Sequence, residues 1–448
     1  MAQPLTIEDL RLLAKRRVPR MFYDYADSGA WTEGTYRANE TDFAKIKLRQ
    51  RVLVDMSGRT LETTMIGEKV KMPVALSPTG LTGMQHADGE MLAAKAAEEF
   101  GVPFTLSTMS ICSIEDIANH VGNPFWFQLY VMKDRDFSAR LIQRAKAAGV
   151  SALVLTLDLQ ILGQRHKDIR NGLSAPPKPT LANLINLATK PRWCLKMLDT
   201  PRRSFGNIVG HVSGVADMSS LSSWTADQFD PRLDWDDVKR IKDQWGGKLI
   251  LKGILDPEDA ENAARSGAEA LIVSNHGGRQ LDGALSSIEA LPAIVDQVGN
   301  RIEVLFDGGI RSGQDVIKAL ALGADAVAIG TAALVAIGDN DPHWEEEYQK
   351  LGTTAGAYDD WHEGKDPAGI TTQDPELAAR LDPVAAGRRL ANYLKVMTLE
   401  AQTIARACGK NRLHNLEPED LCALTMEAAA MAQVPLAGTS WYPGKGGF

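Results

Sequence analysis

Short, nearly unbroken apolar runs recur along this chain, and between them lie stretches whose apolar residues fall three and four positions apart. The runs predict strands over Pro73–Ser77, Pro103–Ser107, Trp126–Tyr130, Leu153–Asp158, Lys248–Gly253, Leu271–Asn275, Val304–Gly308 and Ala326–Gly330. The intervening pattern predicts helices such as Gly89–Phe100, Ser138–Ala148, Pro257–Gly267, Ser287–Val298 and Gly313–Gly323. Strands apolar on both faces and separated by helices belong to a parallel sheet covered on its outer side. Eight such units predict an α/β chain closed into a (β/α)8 TIM barrel. Around it are expected an N-terminal helical segment, a long loop after the fourth strand and a C-terminal helical extension.

That loop, residues 171–235, carries no clear element and reads as an irregular insertion over the mouth of the barrel. Its leucines, Trp193 and the cations Arg192, Arg202 and Arg203 also suit a lid or a contact with a membrane surface. A second irregular stretch spans residues 338–382, followed by two predicted helices, Pro383–Ala407 and Glu417–Met431.

Composition narrows the function classes. The net charge is −8 over 448 residues, with both signs mixed along the chain, which argues against nucleic acid as a partner. The four cysteines form neither a Cys-x-x-Cys pair nor a disulfide framework, and a reducing cytoplasmic setting is the simple expectation. Neither a secretory leader nor an apolar run of about 18 residues is evident. The histidines show no metal-ligand spacing, so no metal site is expected.

In such a barrel the reactive groups sit at the C-terminal ends of the strands. Those ends read Ser77-Pro78-Thr79-Gly80, Leu106-Ser107-Thr108, Gln128-Leu129-Tyr130, Thr156-Leu157-Asp158, Leu251-Lys252-Gly253, Ser274-Asn275-His276-Gly277-Gly278-Arg279, Asp307-Gly308-Gly309-Ile310-Arg311 and Gly330-Thr331. Charged groups at apolar strand ends are costly to bury unless paired or bound, so together they read as a cofactor and substrate cup. His276 and Arg279 bring a titratable base beside a fixed cation, which suits removal of a proton or hydride from a small carboxylate. Asp307 to Gly313 runs into a helix, and amides at a helix start beside Arg311 favour a phosphate.

These phrases, with Tyr23-Asp24-Tyr25, resemble the FMN-dependent α-hydroxy acid dehydrogenase/oxidase family, and within it the bacterial flavin L-lactate dehydrogenases, over residues 1–330. The resemblance implies FMN and oxidation of a 2-hydroxy acid such as L-lactate to its 2-oxo acid, with a quinone, cytochrome or oxygen as electron acceptor. It implies that His276 is the base, Asp158 its partner, and Tyr130 the hydrogen-bonding partner of the substrate hydroxyl. Tyr25, Arg165 and Arg279 would hold the substrate carboxylate. Lys252 would lie at the N1/O2 edge of the flavin. Pro78, Thr79, Gly80, Ser107, Gln128, Thr156 and Ser274 would contact the flavin ring or ribityl chain. Asp307, Gly308, Gly309, Arg311, Gly330 and Thr331 would serve the ribityl and phosphate end. A homo-oligomer, cytoplasmic or peripheral at the inner face of the cell membrane, is also implied. Such chemistry needs an electron sink that no side chain supplies, and no Gly-x-Gly-x-x-Gly phrase opens a nicotinamide site.

Three positions depart from the family pattern: Met109 stands where many relatives have Trp, Gly80 where oxidases have Ala, and Thr331 where an Arg usually touches the phosphate. From residue 331 onward the chain instead resembles the FMN domain of glutamate synthase-like proteins. The phrases are Ile370-Thr371-Thr372-Gln373-Asp374-Pro375-Glu376-Leu377, Ala407-Cys408-Gly409-Lys410 and Leu416-Glu417-Pro418-Glu419-Asp420-Leu421. Residues 1–330 are therefore expected to form the dehydrogenase barrel, and 331–448 a glutamate synthase-like segment completing and extending it. A glutamate synthase-like reaction, or a flavin-binding chimera without turnover, are the alternative functions.

Overall fold

The computed structural model describes residues 6–54, 60–159, 163–173, 180–212, 232–337 and 386–439, with 441 and 443. Eight parallel strands form the centre: β1 (Val74–Leu76), β2 (Thr105–Ser107), β3 (Trp126–Leu129), β4 (Ala152–Thr156), β5 (Lys248–Ile254), β6 (Ala270–Val273), β7 (Glu303–Asp307) and β8 (Ala326–Ile329). Consecutive strands pair from β2 to β8, and β8 pairs with β1. A parallel bridge between Leu76 and Phe104 closes the ring. All eight predicted strands are present, and the predicted helices appear as Gly89–Phe100, Arg135–Ala147, Pro257–Arg265, Ser287–Val298 and Gly313–Ala321. The second begins earlier than expected because the Asp134 side chain accepts a hydrogen bond from the Phe137 amide and caps it.

The pleat divides each strand between two cores. Leu153, Leu155, Leu249, Leu251, Leu271 and Phe306 pack outward under the helices. Ala75, Trp126, Val154, Ile250, Ile272, Leu305 and Ala328 turn inward and fill the barrel. The hairpin formed by Thr63–Met65 and Glu68–Val70 adds Met65, Ile66 and Val70 to that inner cluster. Two residues further along each strand, the same inward face carries Ser77, Gln128, Thr156, Lys252, Ser274, Asp307 and Gly330. The inner lining thus changes from hydrocarbon to polar groups at the C-terminal mouth.

Two expectations are corrected. The 171–235 insertion is not devoid of elements, since helices form over Leu181–Ala188 and Pro191–Asp199. Thr180 caps the first through the Asn183 amide, and Pro191 opens the second. Their apolar residues largely face solvent, with Leu181 74% and Leu198 69% exposed, so they do not behave as a core stripe. The stretch predicted as one helix over Glu417–Met431 is a 3-10 turn at Pro418–Asp420, a strand at Leu421–Ala423 and a helix at Met426–Ala432. The strand pairs antiparallel with Ile46–Leu48, a partner near the other end of the chain that local periodicity does not reveal. Residues 213–231 of the insertion, the irregular stretch 338–382 and the phrase Ile370–Leu377 lie outside the described residues.

Helix Ala386–Ala407 packs against Gly89–Phe100, Gly313–Ala321 and Thr331–Ile337. Contact is close at Gly313, where a Cβ would come within 2.3 Å of the Met397 carbonyl oxygen. Leu390, Leu394 and Ala401 on this helix are fully buried. Leu394→Ala should therefore cost about 2–5 kcal/mol of stability, measured by equilibrium urea unfolding. A change within 0.5 kcal/mol would show that this helix is not part of the cooperative core.

Candidate active site

The mouth holds a cavity of ≈ 510 Å³, lined from the N-terminal segment, the strand ends and the insertion. Tyr25, Pro78, Thr79, Gly80, Tyr130, Arg165, Lys252, His276, Arg279, Asp307, Gly308, Gly309, Arg311, Gly330 and Thr331 all line it. Of the other sequence-predicted site residues, Ser107, Gln128, Thr156, Asp158 and Ser274 lie behind that lining, and two of them hold lining residues in place.

The first is Asp158, whose Oδ1 is 2.9 Å from His276 Nδ1. This leaves Nε2 as the ring's other functional nitrogen. Burial pushes the Asp158 carboxyl up, but the His276 imidazole, by charge and hydrogen bond, and Lys252 outweigh it and hold the group below the usual carboxylate range. The His276 backbone is left-handed, at φ 58°, a conformation costly for a non-glycine residue. It is secured by a bond from its amide to Ser274 Oγ (3.1 Å) and by the Asn275 side chain accepting from the Gly278 amide (3.0 Å). Gly278 itself has no room for a side chain: a Cβ would lie 2.4 Å from the Tyr36 amide nitrogen.

The second is Ser274. Lys252, 4% exposed, donates to Ser274 Oγ (2.8 Å) and pairs with Asp307 Oδ2 (2.8 Å), linking β5, β6 and β7 at the cavity floor. Ser77 Oγ approaches the same Asp307 oxygen at 3.5 Å. Beside them Ser107 Oγ donates to Gln128 Oε1 at 3.0 Å.

Arg279 and Arg165 stack against one ring, their guanidinium carbons 4.7 and 5.3 Å from the Tyr25 centroid. Arg279 donates from Nη1 to the carbonyl oxygens of Tyr25 (2.6 Å) and Ser28 (3.1 Å). Burial pushes its ionisation down, and the Arg165 charge adds to the effect. Burial likewise pushes the Tyr130 hydroxyl up, so it remains a proton donor.

The far end differs from expectation in one respect. The amides before and at the start of helix Gly313–Ala321 are already taken: Arg311 and Ser312 donate to Asp315 Oδ2 (both 3.0 Å), and Gly313 to Glu400 Oε2 (2.7 Å). The helix is capped by its own third residue and by a carboxylate from the C-terminal helix, so these amides are not the anion site. Gly308, Gly309, Arg311, Gly330 and Thr331 remain as the cavity's lining there. The Arg311 Nη2 group also donates to Glu40 Oε1 at 2.7 Å.

Several lining residues escaped sequence reasoning. Asn39 exchanges side-chain hydrogen bonds with Asn275 (2.8 and 2.7 Å) and accepts from the Ser287 amide. No local pattern marks it, because its partners are distant in sequence. Tyr36 and Phe205 were missed for the same reason. Asp168 was also missed, although a local signal existed: it lies three residues after Arg165 at a helix start, where the two side chains can meet.

The donor set fits FMN. Gln128 Nε2, Thr156 Oγ1 and Asp307 Oδ1 are buried without a partner, and such atoms are costly unless a ligand satisfies them. The cavity lies within the size range of cofactor sites, with the floor cation Lys252 and, at the far end, Arg311 for an anionic tail.

Comparison with known proteins agrees. A family model described as FMN-dependent dehydrogenase matches residues 14–342, and one for a conserved region in glutamate synthase matches residues 354–411. The chain is 48% identical over 331 residues to an L-lactate dehydrogenase of Xanthomonas campestris pv. campestris (strain B100), covering 73% of this chain and 85% of that protein. It is 47% identical over 331 residues to an L-lactate dehydrogenase of Ectopseudomonas mendocina (strain ymp), covering 73% and 87%. A crystal structure of (S)-mandelate dehydrogenase, described as a monotopic membrane protein, superposes with TM-score 0.79 at 30% identity over 93% of this chain and 99% of that one. With a matching cavity, orphaned polar atoms awaiting a ligand and these relatives, the chain belongs to the FMN-dependent dehydrogenase family and uses FMN.

Proposed function

We propose that this protein oxidises a 2-hydroxy acid of the lactate type to its 2-oxo acid and passes the electrons to a quinone, a cytochrome or oxygen. The observation that carries the reading is His276, held at 2.9 Å by Asp158 behind it, in the same cavity as Arg279. Bound FMN would supply the two-electron acceptor. Lys252, Gln128, Thr156, Ser107, Ser274 and the Pro78–Gly80 turn would hold its ring and ribityl chain. Asp307, Gly308, Gly309, Arg311, Gly330 and Thr331 would hold its ribityl and phosphate end.

The remaining chemistry belongs to the chain. Arg279 and Tyr25 would bind the substrate carboxylate and orient the hydroxyl-bearing carbon, with Arg165 a second cation nearby that is paired with Asp168. The Tyr130 hydroxyl would hydrogen-bond the substrate hydroxyl. His276 Nε2 would take a proton, from the carbon in a carbanion route or from the hydroxyl in a hydride route. The ionised Asp158 would stabilise the resulting imidazolium and fix the ring's tautomer. A glutamate synthase-like reaction draws on the 354–411 match, whereas every acid-handling group named here precedes residue 280.

The insertion supports a peripheral membrane contact. Leu181, Leu184, Ile185, Leu195 and Leu198 are exposed on two adjoining helices, with Lys190 between them and Arg192 and Lys196 on the second. Trp193 anchors the pair by stacking on Phe22 (5.5 Å) and donating to the Met84 carbonyl oxygen (2.9 Å). The likeness to a monotopic mandelate dehydrogenase points the same way.

His276→Ala should retain FMN but slow anaerobic flavin reduction by L-lactate about 10²–10⁴-fold in stopped flow. Reduction at the wild-type rate would remove His276 from the mechanism. The double variant Leu184→Glu/Ile185→Glu should lower binding to anionic vesicles by about tenfold or more in a sedimentation assay, since each side chain contributes about 1.5–3 kcal/mol when buried. Unchanged partitioning would rule out this face as the contact.

A further inference from the structure

The cationic groups lining the cavity are not equivalent. Lys252 faces Asp307 at 2.8 Å, Arg311 faces Glu40 at 2.7 Å, His276 faces Asp158 at 2.9 Å, and Arg165 faces Asp168 at 2.7 Å. Among the described residues Arg279 alone of this set has no carboxylate partner; it meets two carbonyl oxygens, and its Nη2 is buried without a hydrogen bond. Arg165 lies across the same Tyr25 ring and would otherwise offer a second positive charge to the same ligand. Asp168 takes that charge. Its side chain is 8% exposed, it lines the cavity, and its Oδ1 is buried without a partner. The spacing is built in: Arg165 occupies the N-cap of helix His166–Arg170, and Asp168 follows in the first turn. Elsewhere the insertion and neighbouring loops contribute apolar lining from Met109, Leu159, Leu173 and Phe205.

We propose that Asp168 is a specificity-determining residue: by pairing with Arg165 it leaves Arg279 as the one guanidinium without a carboxylate partner, so the pocket accepts 2-hydroxy acids with a single carboxylate and rejects those with two. The proposal rests on the acid-oxidising reading above and names its substrate class. The second carboxylate of a malate-like acid would meet an Arg165 already paired with Asp168, and hydrocarbon. Neither offers a buried anion a free partner. Asp168 acts through Arg165, and takes no proton in the reaction.

The test uses the FMN-loaded protein and two 2-oxo acids, pyruvate with one carboxylate and oxaloacetate with two. Dissociation constants come from perturbation of the flavin absorbance, and so need no turnover. The wild type should bind pyruvate more tightly than oxaloacetate. Asp168→Asn should shift the ratio of the two constants toward oxaloacetate by about tenfold or more, and Asp168→Ser, read in the same way, serves if the first variant fails to hold flavin. Adding Arg165→Met to either variant should abolish the shift, because the gain is assigned to the freed guanidinium. Three results would each overturn the proposal: oxaloacetate bound as tightly as pyruvate by the wild type, an unchanged ratio in the Asp168 variants, or a shift that survives loss of Arg165. Anaerobic mixing with L-lactate is run in parallel. Failure of lactate to bleach the wild-type flavin would end the acid-oxidising reading, while the titrations would still decide what Asp168 does.

Discussion

A side chain facing the inside of a closed barrel has no water to turn to. Polar groups are therefore tolerable on the inward face only at the open end, and only when they bond to one another or to a ligand. The inner positions of β3 to β7 obey this constraint, passing from Trp126, Val154, Ile250, Ile272 and Leu305 to Gln128, Thr156, Lys252, Ser274 and Asp307. Lys252 is the most demanding of these. A buried ammonium needs a partner, and pairing with Asp307 and Ser274 ties three strands together at the level where the cavity begins. The orphaned oxygen of Asp307, with Gln128 Nε2 and Thr156 Oγ1, leaves the floor incomplete without a hydrogen-bonding ligand.

Above that floor, precision comes from segments that arrive from elsewhere. Asn39, on the N-terminal helix Gly34–Lys45, exchanges its amide with Asn275 and meets the helix following β6. Its carbonyl also leaves Gly309 no room for a side chain, at 1.9 Å from a Cβ. Tyr25 supplies both a ring between two guanidiniums and a carbonyl for one of them. The C-terminal helix contributes Glu400 to the cap of helix Gly313–Ala321. Both ends of the chain thus brace loops at the cavity while the strands carry the polar floor.

The insertion after β4 joins two roles. Just before it, Arg165 and Asp168 form an ion pair at the cavity mouth. Further along, Asn207 is fully buried, accepts from the Ile114 amide (2.9 Å) and donates to Ser110 Oγ (3.0 Å). These bonds fasten the segment to the loop after β2 and bring Phe205 to the cavity. Between them, the helices at 181–199 turn their leucines to the outside.

The barrel was legible in sequence because alternating strands and helices are local patterns, each carried by a few consecutive residues. The cup was legible for a related reason: the pleat has a period of two, so polar residues at inward positions such as Lys252, Ser274 and Asp307 could be placed at the mouth from strand positions alone. What local pattern could not carry were relations between distant residues. The strand at Leu421–Ala423 exists because Ile46–Leu48 pairs with it. The amides at 311–313 looked free to bind an anion, yet Asp315 and a carboxylate from residue 400 occupy them. Tyr36, Asn39 and Phe205 joined the cavity through contacts the sequence does not announce. Residue type and period determined which groups this chain could bring to its mouth. The tertiary structure decided which of their charges are cancelled and which remain for a ligand, because that depends on ångström-scale distances between segments far apart along the chain.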